Sequence, residues 1–362
     1  MDTAAPYLFY DDLRKKGDVH WDEQQRRWQV LGYKPVCDLL KDERLSSDNT
    51  DILLETTFPR KQRDRVAPLI AHLKEWLFYS DPPEHTLLRR NVSDSFSQKS
   101  IVTYTTDVER IVADVCSTLS GEVDIVAQAA NQIPPRVMAV FLDLPESDAD
   151  LFLRWAFQMS EFITCPIRTP HEFQPALSVL NEQQAYFKDR DDWVMTAMLI
   201  ATGIETSVSL LGGALLTLLQ HPAQWQQLQQ TPELLDQAID EVLRFEPPVH
   251  RAIRCVKEDF DFEGHLFKKG DIVLLYLAAA NRDATIYTNP AHFDITRANN
   301  PHLSFGYGIH YCLGRLLGRL TVRVYLKYLL EHAGNLTLVD KPAVWHTGPT
   351  LRRLESLWLN IA

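Results

Sequence analysis
Apolar residues recur every three or four positions along residues 34–40, 85–96, 102–119, 148–163, 193–219, 232–244 and 313–332. That period gathers them on one face of an α-helix, so each stretch is predicted to be helical. Residues 193–219 are apolar around almost their whole circumference, which predicts a helix that crosses the core. Shorter runs at 28–31, 260–267, 272–277 and 354–360 predict strands, with Lys269-Gly270 as a hairpin turn between two of them. Helix exceeds strand, and no repeat, low-complexity tract or Gly/Ser linker interrupts the pattern. The expected architecture is mainly α with small β-sheets, in one domain spanning residues 1–362.

Composition narrows the partners. Apolar residues make up 45% of the chain, enough for an ordered core. Lys and Arg total 37 against 48 for Asp and Glu, a net charge of -11 that argues against nucleic acid or an anionic membrane surface. Residues 1–16 lack the layout of a signal peptide, and the densest apolar run, 272–280, is too short to span a bilayer. Cys37, Cys116, Cys165, Cys255 and Cys312 are odd in number, scattered and without C-x-x-C spacing. The expectation is a cytoplasmic protein with neither a disulfide framework nor a structural zinc site.

One cysteine stands apart. Phe305-Gly306-Tyr307-Gly308-Ile309-His310-Tyr311-Cys312-Leu313-Gly314 leads into the last long helix. Gly306 and Gly308 let the backbone turn tightly and approach a flat ligand with no Cβ in the way. Gly314 removes a side chain where the helix would meet the same ligand. A cysteine at a helix start favours the thiolate, which is what a haem iron needs if bound oxygen is to be cleaved. A buried, inert thiol in a Gly-rich turn is the alternative. The complete pattern resembles the haem-binding signature of the cytochrome P450 family, and every marked position is present. The resemblance implies the P450 fold, haem b as cofactor and Cys312 as the metal ligand. It also implies Phe305 shielding the sulfur, Gly306 and Gly314 against the haem, and His310 near by as a cation.

Other residues extend that resemblance. Glu241 and Arg244, three apart, share a helix face and can pair; they match the family's E-x-x-R. Arg297 is the implied third partner, and all three would hold the fold rather than catalyse. Asp81-Pro82-Pro83-Glu84-His85 opens a helix on which His85 and Arg89 share a face. By resemblance these two, with Arg254 and His310, would contact haem propionates, an arginine fork matching a carboxylate. Leu87 stands where many bacterial relatives carry an arginine.

Ala201-Thr202-Gly203-Ile204-Glu205-Thr206-Ser207 places an acid and alcohols inside an apolar helix, where burial is costly. Thr206 could bond back to the Thr202 carbonyl and merely bend the helix. The segment resembles the family's oxygen-binding kink, which implies Gly203 beside the haem and Glu205 and Thr206 as a catalytic proton relay. That pair implies reductive dioxygen activation by a monooxygenase fed by a separate ferredoxin or flavodoxin with its reductase. Arg315, Arg319, Arg323 and Lys327 recur every four residues, a cationic stripe suited to docking such an acidic partner.

Pocket candidates by position are Leu199, Thr202, Val249, His250, Ala252, Ile253, Pro349 and Thr350, a mainly apolar set. The expected substrate is a small organic molecule of secondary-metabolite type, free or bound to a carrier protein. Hydroxylation is the expected reaction. Oxidative coupling or peroxygenase chemistry is the enzymatic alternative, and a non-catalytic haem-binding or carrier-protein-recruiting module the third. Residues 164–192 are few for the lid that soluble relatives build over the distal pocket. A shortened lid is therefore expected, with one helix at 181–188 and residues 189–192 leading almost directly onward, leaving the pocket more open or closed by a partner.

Overall fold
The computed structural model describes residues 6–164 and 170–361; Cys165 lies outside them. The chain begins with helix α1 (Pro6–Arg14), strands β1 (Val19–Asp22) and β2 (Arg27–Val30), α2 (Tyr33–Lys41) and β3 (Leu45–Ser46). Helices α3 (Thr50–Thr57), α4 (Arg60–Lys74), α5 (Glu84–Ser93), α6 (Gln98–Ile101) and α7 (Thr105–Cys116) follow, then β4 (Gly121–Asp124). The helical bulk is α8 (Ile133–Phe141), α9 (Ala149–Thr164), α10 (Pro170–Tyr186), α11 (Trp193–Gln220), α12 (Pro222–Gln230) and α13 (Leu235–Phe245). Strands β5 (Ala252–Val256), β6 (Phe260–Phe262), β7 (His265–Phe267) and β8 (Ile272–Leu275) precede α14 (Leu277–Ala280) and α15 (Arg315–His332). Strands β9 (Leu336–Leu338), β10 (Val344–Trp345), β11 (Leu354–Ser356) and β12 (Trp358–Ile361) close the chain.

Helix α11 is the axis of the core. Ile200, Ile204, Leu210, Leu211, Leu215 and Leu218 are buried on it, and α8, α9, α13 and α15 pack around it. Burying each of these side chains contributes about 2 kcal/mol of transfer free energy, which is why the all-round apolar pattern selects this central place. By length and composition alone α11 could cross a membrane, but 61% of its most apolar window is buried within the protein. Pro222, at the first turn of α12, cannot continue the α11 ladder and suits a new helix start.

The larger sheet runs β1-β2-β8-β5-β3, with β2 and β8 parallel and the other pairs antiparallel. Strand alternation puts Ala252 and Arg254 of β5 on one face and Ile253 and Cys255 on the other. A second sheet, β4-β12-β9, is antiparallel throughout.

Three expectations change. The 260–267 run is itself a hairpin, β6 with β7, turning at Glu263-Gly264, both with positive φ (49° and 81°). Lys269-Gly270 instead leads into β8, which pairs with β2 and β5. The 354–360 run divides into β11 and β12, which join different sheets. Most significantly, the lid is not one short helix at 181–188. Helix α10 covers Pro170–Tyr186, with Phe173, Ala176, Val179 and Leu180 buried and α9 and α4 packed against it. Pro175 lies within α10 and obscures its period; its lost ladder bond is offset by this packing. The economy lies after α10, where residues 187–192 alone lead into α11.

Candidate active site
The cysteine loop folds as its glycines require. Gly306 and Gly308 have φ of 72° and 75°, and a Cβ on Gly308 would stand 3.0 Å from the Leu40 carbonyl oxygen of α2. A 3-10 turn over Gly308–His310 then brings the Cys312 N–H to the Phe305 carbonyl at 2.8 Å. Cys312 sits at the mouth of α15. Burial pushes its thiol up, while the N–H groups of Gly314 and Arg315 and the cations Arg315 and Arg89 oppose that push. At Gly314 no described atom lies within 4 Å of where a Cβ would sit. The Phe305 ring packs 5.7 Å from the His302 ring.

The four groups expected around propionates converge. Arg89 of α5 donates to the Tyr311 carbonyl at 2.6 Å, and the His85 and His310 rings stand 4.3 Å apart. Nε2 of each imidazole is buried without a partner. Arg254, on the β5 face that Ala252 shares, is 8% exposed and donates to its neighbour Ile253 O at 2.9 Å. Burial pushes Arg254 down to about 10, against the pull of Asp81. Burial, with Arg254, His85 and Arg89 around it, pushes His310 down to about 3. The cradle is rich in donors and poor in anions.

On α11 the acid and the alcohol take different partners. Thr206 Oγ1 donates to the Thr202 carbonyl at 2.9 Å, and Thr202, Ser207 and Ser209 likewise bond back four residues. Glu205, 3% exposed, accepts from Arg353 Nε at 2.9 Å. Burial raises its carboxyl above the ordinary range, against the pull of neighbouring polar groups, Arg353 among them. The helix continues unbroken through the expected kink. A Cβ on Gly203 would lie 2.3 Å from Met138 Cε, so this glycine lets α8 approach α11.

Glu241, Arg244 and Arg297 meet in one group, and further residues join it. The Arg244 guanidinium donates to both Glu241 oxygens at 2.7 Å, and Arg297 Nε reaches Glu241 Oε2 at 3.1 Å. Asn300 Nδ2 and the Asp294 N–H add two more bonds to that carboxylate. The backbone carbonyls of Asn281, Pro290 and His292 absorb the remaining Arg244 donors.

The cationic stripe is mostly neutralised. Arg319 pairs with Asp240 and Arg323 with Asp236, both on α13, and Lys327 lies 3.8 Å from Glu331. Only Arg315 has no carboxylate partner among the described residues. It lines a groove of about 390 Å³ with Arg89, Ser97, Gln98 and Leu316. The pocket candidates also separate. His250 is 2% exposed, bonded to Tyr10 of α1 at 2.7 Å and near Glu246, so it anchors α1 rather than facing a substrate. Ile253 packs with the same α1 cluster. Val249 and Ala252 pack over the sheet, Leu199 in the main core. Val249 pairs with Leu351 in an isolated bridge, and Thr350 Oγ1 reaches the Thr164 carbonyl at the end of α9. Pro349 is half-buried beside them.

A family profile described as Cytochrome P450 matches residues 176–333. The biotin biosynthesis cytochrome P450 of Bacillus subtilis (strain 168) is 30% identical, covering 97% of this chain and 95% of its own. The cytochrome P450 monooxygenase PikC of Streptomyces venezuelae is 31% identical, covering 98% and 91%. The chain belongs to the cytochrome P450 family. Its fold is the P450 fold: P450BioI, crystallised with an acyl carrier protein bearing hexadec-9Z-enoic acid, superposes with a TM-score of 0.92 at 28% identity and 99% coverage of both chains. The protein is an oxidoreductase of the monooxygenase type, and haem is the family's cofactor.

A P450 haem brings two carboxylates and an iron, and the residues present fit it. Two orphaned imidazole nitrogens and two arginines would match the carboxylates, Cys312 would supply the thiolate, and the open side of Gly314 would give room. What the sequence reading missed is Arg353, the cation on Glu205, 148 residues away. No local spacing announces it. The acids that neutralise the stripe did leave a signal: Asp236 and Asp240 repeat the four-residue interval of Arg319 and Arg323.

Proposed function
We propose that this P450 hydroxylates an apolar secondary metabolite, free or held on a carrier protein. Electrons would come from a separate ferredoxin or flavodoxin with its reductase, in the cytoplasm. The names of its relatives support this reading, one a biotin-biosynthesis P450 and one a monooxygenase, as does the carrier-protein complex of P450BioI. Haem b, when bound, supplies dioxygen activation and C–H oxidation. The chain's residues hold and serve it. Cys312 binds the iron, His85, Arg89, Arg254 and His310 receive the propionates, and Phe305, Gly306 and Gly314 shape its surroundings, while Gly203 seats Met138 of α8 rather than the haem. Glu205 and Thr206 hand protons inward, Thr206 first releasing the Thr202 carbonyl.

The observation that carries the reading is Cys312 at the start of α15, its sulfur against two backbone N–H groups and two arginines. Reduced, haem-loaded protein under carbon monoxide should show a strongly red-shifted Soret band, lost in Cys312→Ala. An unshifted band sinks thiolate ligation. Turnover under labelled dioxygen should place label in the product; unlabelled product would move the assignment to oxidative coupling or peroxygenase chemistry.

A further inference from the structure
We propose that Arg353 is a positioning residue that ties the buried acid Glu205 to helix α9, so that the seat of α9 sets the proton affinity of Glu205. The inference rests on the reading of Glu205 as the acid that carries protons inward.

The contacts run from solvent to the core. Arg353, just before β11, donates through Nε to Glu205 Oε1 at 2.9 Å, with side-chain exposures of 13% and 4%. Its guanidinium lies over the Phe157 ring of α9 at 4.4 Å, and Nη2 meets His346 Nδ1 at 3.2 Å. His346 in turn reaches Glu161 of α9 through Nε2 at 3.1 Å and Glu355 through Nδ1 at 3.4 Å. Phe157 and Glu161 are four residues apart and share one face of α9. That face therefore holds Arg353 twice, directly through the ring and indirectly through His346.

An arginine keeps its proton in proteins, so Arg353 is not a relay member. Its effect is on Glu205. Burial favours the protonated carboxyl, and a guanidinium in contact favours the carboxylate. Arg353 holds Oε1, and Ser160 of α9 adds a direct hydrogen bond to the same carboxyl that also favours the carboxylate. Displacing α9 would withdraw Phe157 and Glu161 together, loosen Arg353 and raise the proton affinity of Glu205.

The test follows the infrared carbonyl band of protonated Glu205 against pH in haem-loaded enzyme, the band assigned by its loss in Glu205→Gln. Arg353→Met should raise the midpoint by roughly 1–3 pH units, the range for a carboxyl losing a close opposite charge. Arg353→Lys, which keeps a cation, should return most of that shift. Phe157→Leu and Glu161→Gln, altering α9 alone, should shift it the same way by less; these variants and Arg353→Lys carry the test if Arg353→Met does not fold. An unmoved midpoint in Arg353→Met overturns the hold on Glu205. Unmoved midpoints in both α9 variants overturn the tie to α9. Peroxide released per turnover separates the underlying reading: if Glu205→Gln releases no more than wild type, the relay role falls while a shifted midpoint still upholds the positioning role.

Discussion
The rings of His85 and His310 stand 4.3 Å apart, each with Nε2 buried and unpartnered. Burial and neighbouring cations push both below the ordinary histidine range. Buried imidazole nitrogens without partners, beside buried guanidinium groups, are unfavourable until an anion joins them. Arg254→Gln should therefore speed haem loss to a scavenging acceptor protein by roughly 10–100-fold, one charged hydrogen bond being worth about 1.5–3 kcal/mol. The unfolding midpoint of the apoprotein should not fall, because the same change relieves cationic crowding. A large apoprotein loss would make Arg254 a packing residue instead.

Glu241 and Arg244 are both fully buried, and each satisfies the other. Removing Arg244 leaves the buried Glu241 with Arg297 as its one remaining cation among the described residues. Arg244→Met should cost roughly 3–5 kcal/mol in urea unfolding. The double variant Glu241→Leu with Arg244→Met should not recover that loss, because it also strips Arg297 of its carboxylate partner.

On the face beside the cysteine loop, Arg315 is available while Arg319 and Arg323 are engaged by Asp240 and Asp236. Arg315→Glu should slow stopped-flow reduction by a ferredoxin or flavodoxin most, and the more steeply at low salt. Arg323→Glu should have a smaller effect. Equal slowing by both would restore the whole stripe as the docking surface.

His72 of α4 accepts a hydrogen bond from Trp76 Nε1 at 3.1 Å and stacks on Trp193 at 5.0 Å, and burial lowers it to about 4. The folded protein thus holds this ring neutral where the unfolded chain, near 6.5, already binds a proton. Its stabilising share is whole above pH 6.5, falls as pH drops toward 4, and is constant below. The loss across that window is on the order of 3 kcal/mol. In His72→Phe the slope of stability between pH 6.5 and 4 should flatten; an unchanged slope removes His72 as its source.

Much of the fold was legible because it is written locally. The 193–219 run became α11 within a residue at its end, and Glu241-Arg244 paired as their spacing requires. Cys312 lies at a helix start because Gly306 and Gly308 turn the chain there. What escaped is set by distant chain. His250 looked like a pocket residue until Tyr10 of α1 arrived to bind it, and Thr206 and Glu205, adjacent in sequence, answered to different partners. Helix α10 was lost to Pro175, whose penalty is outweighed only by contacts with α9 and α4.

The short join between α10 and α11 restricts how the enzyme can breathe. Residues 187–192 are themselves bonded, Arg190 N to Phe187 O and Trp193 N to Arg190 O, and the Arg190 guanidinium grips the Leu142 carbonyl. With so little slack, the Tyr186 end of α10 is held close to the start of α11. Whatever the pocket admits must therefore be accommodated without α10 parting from α11 at that end.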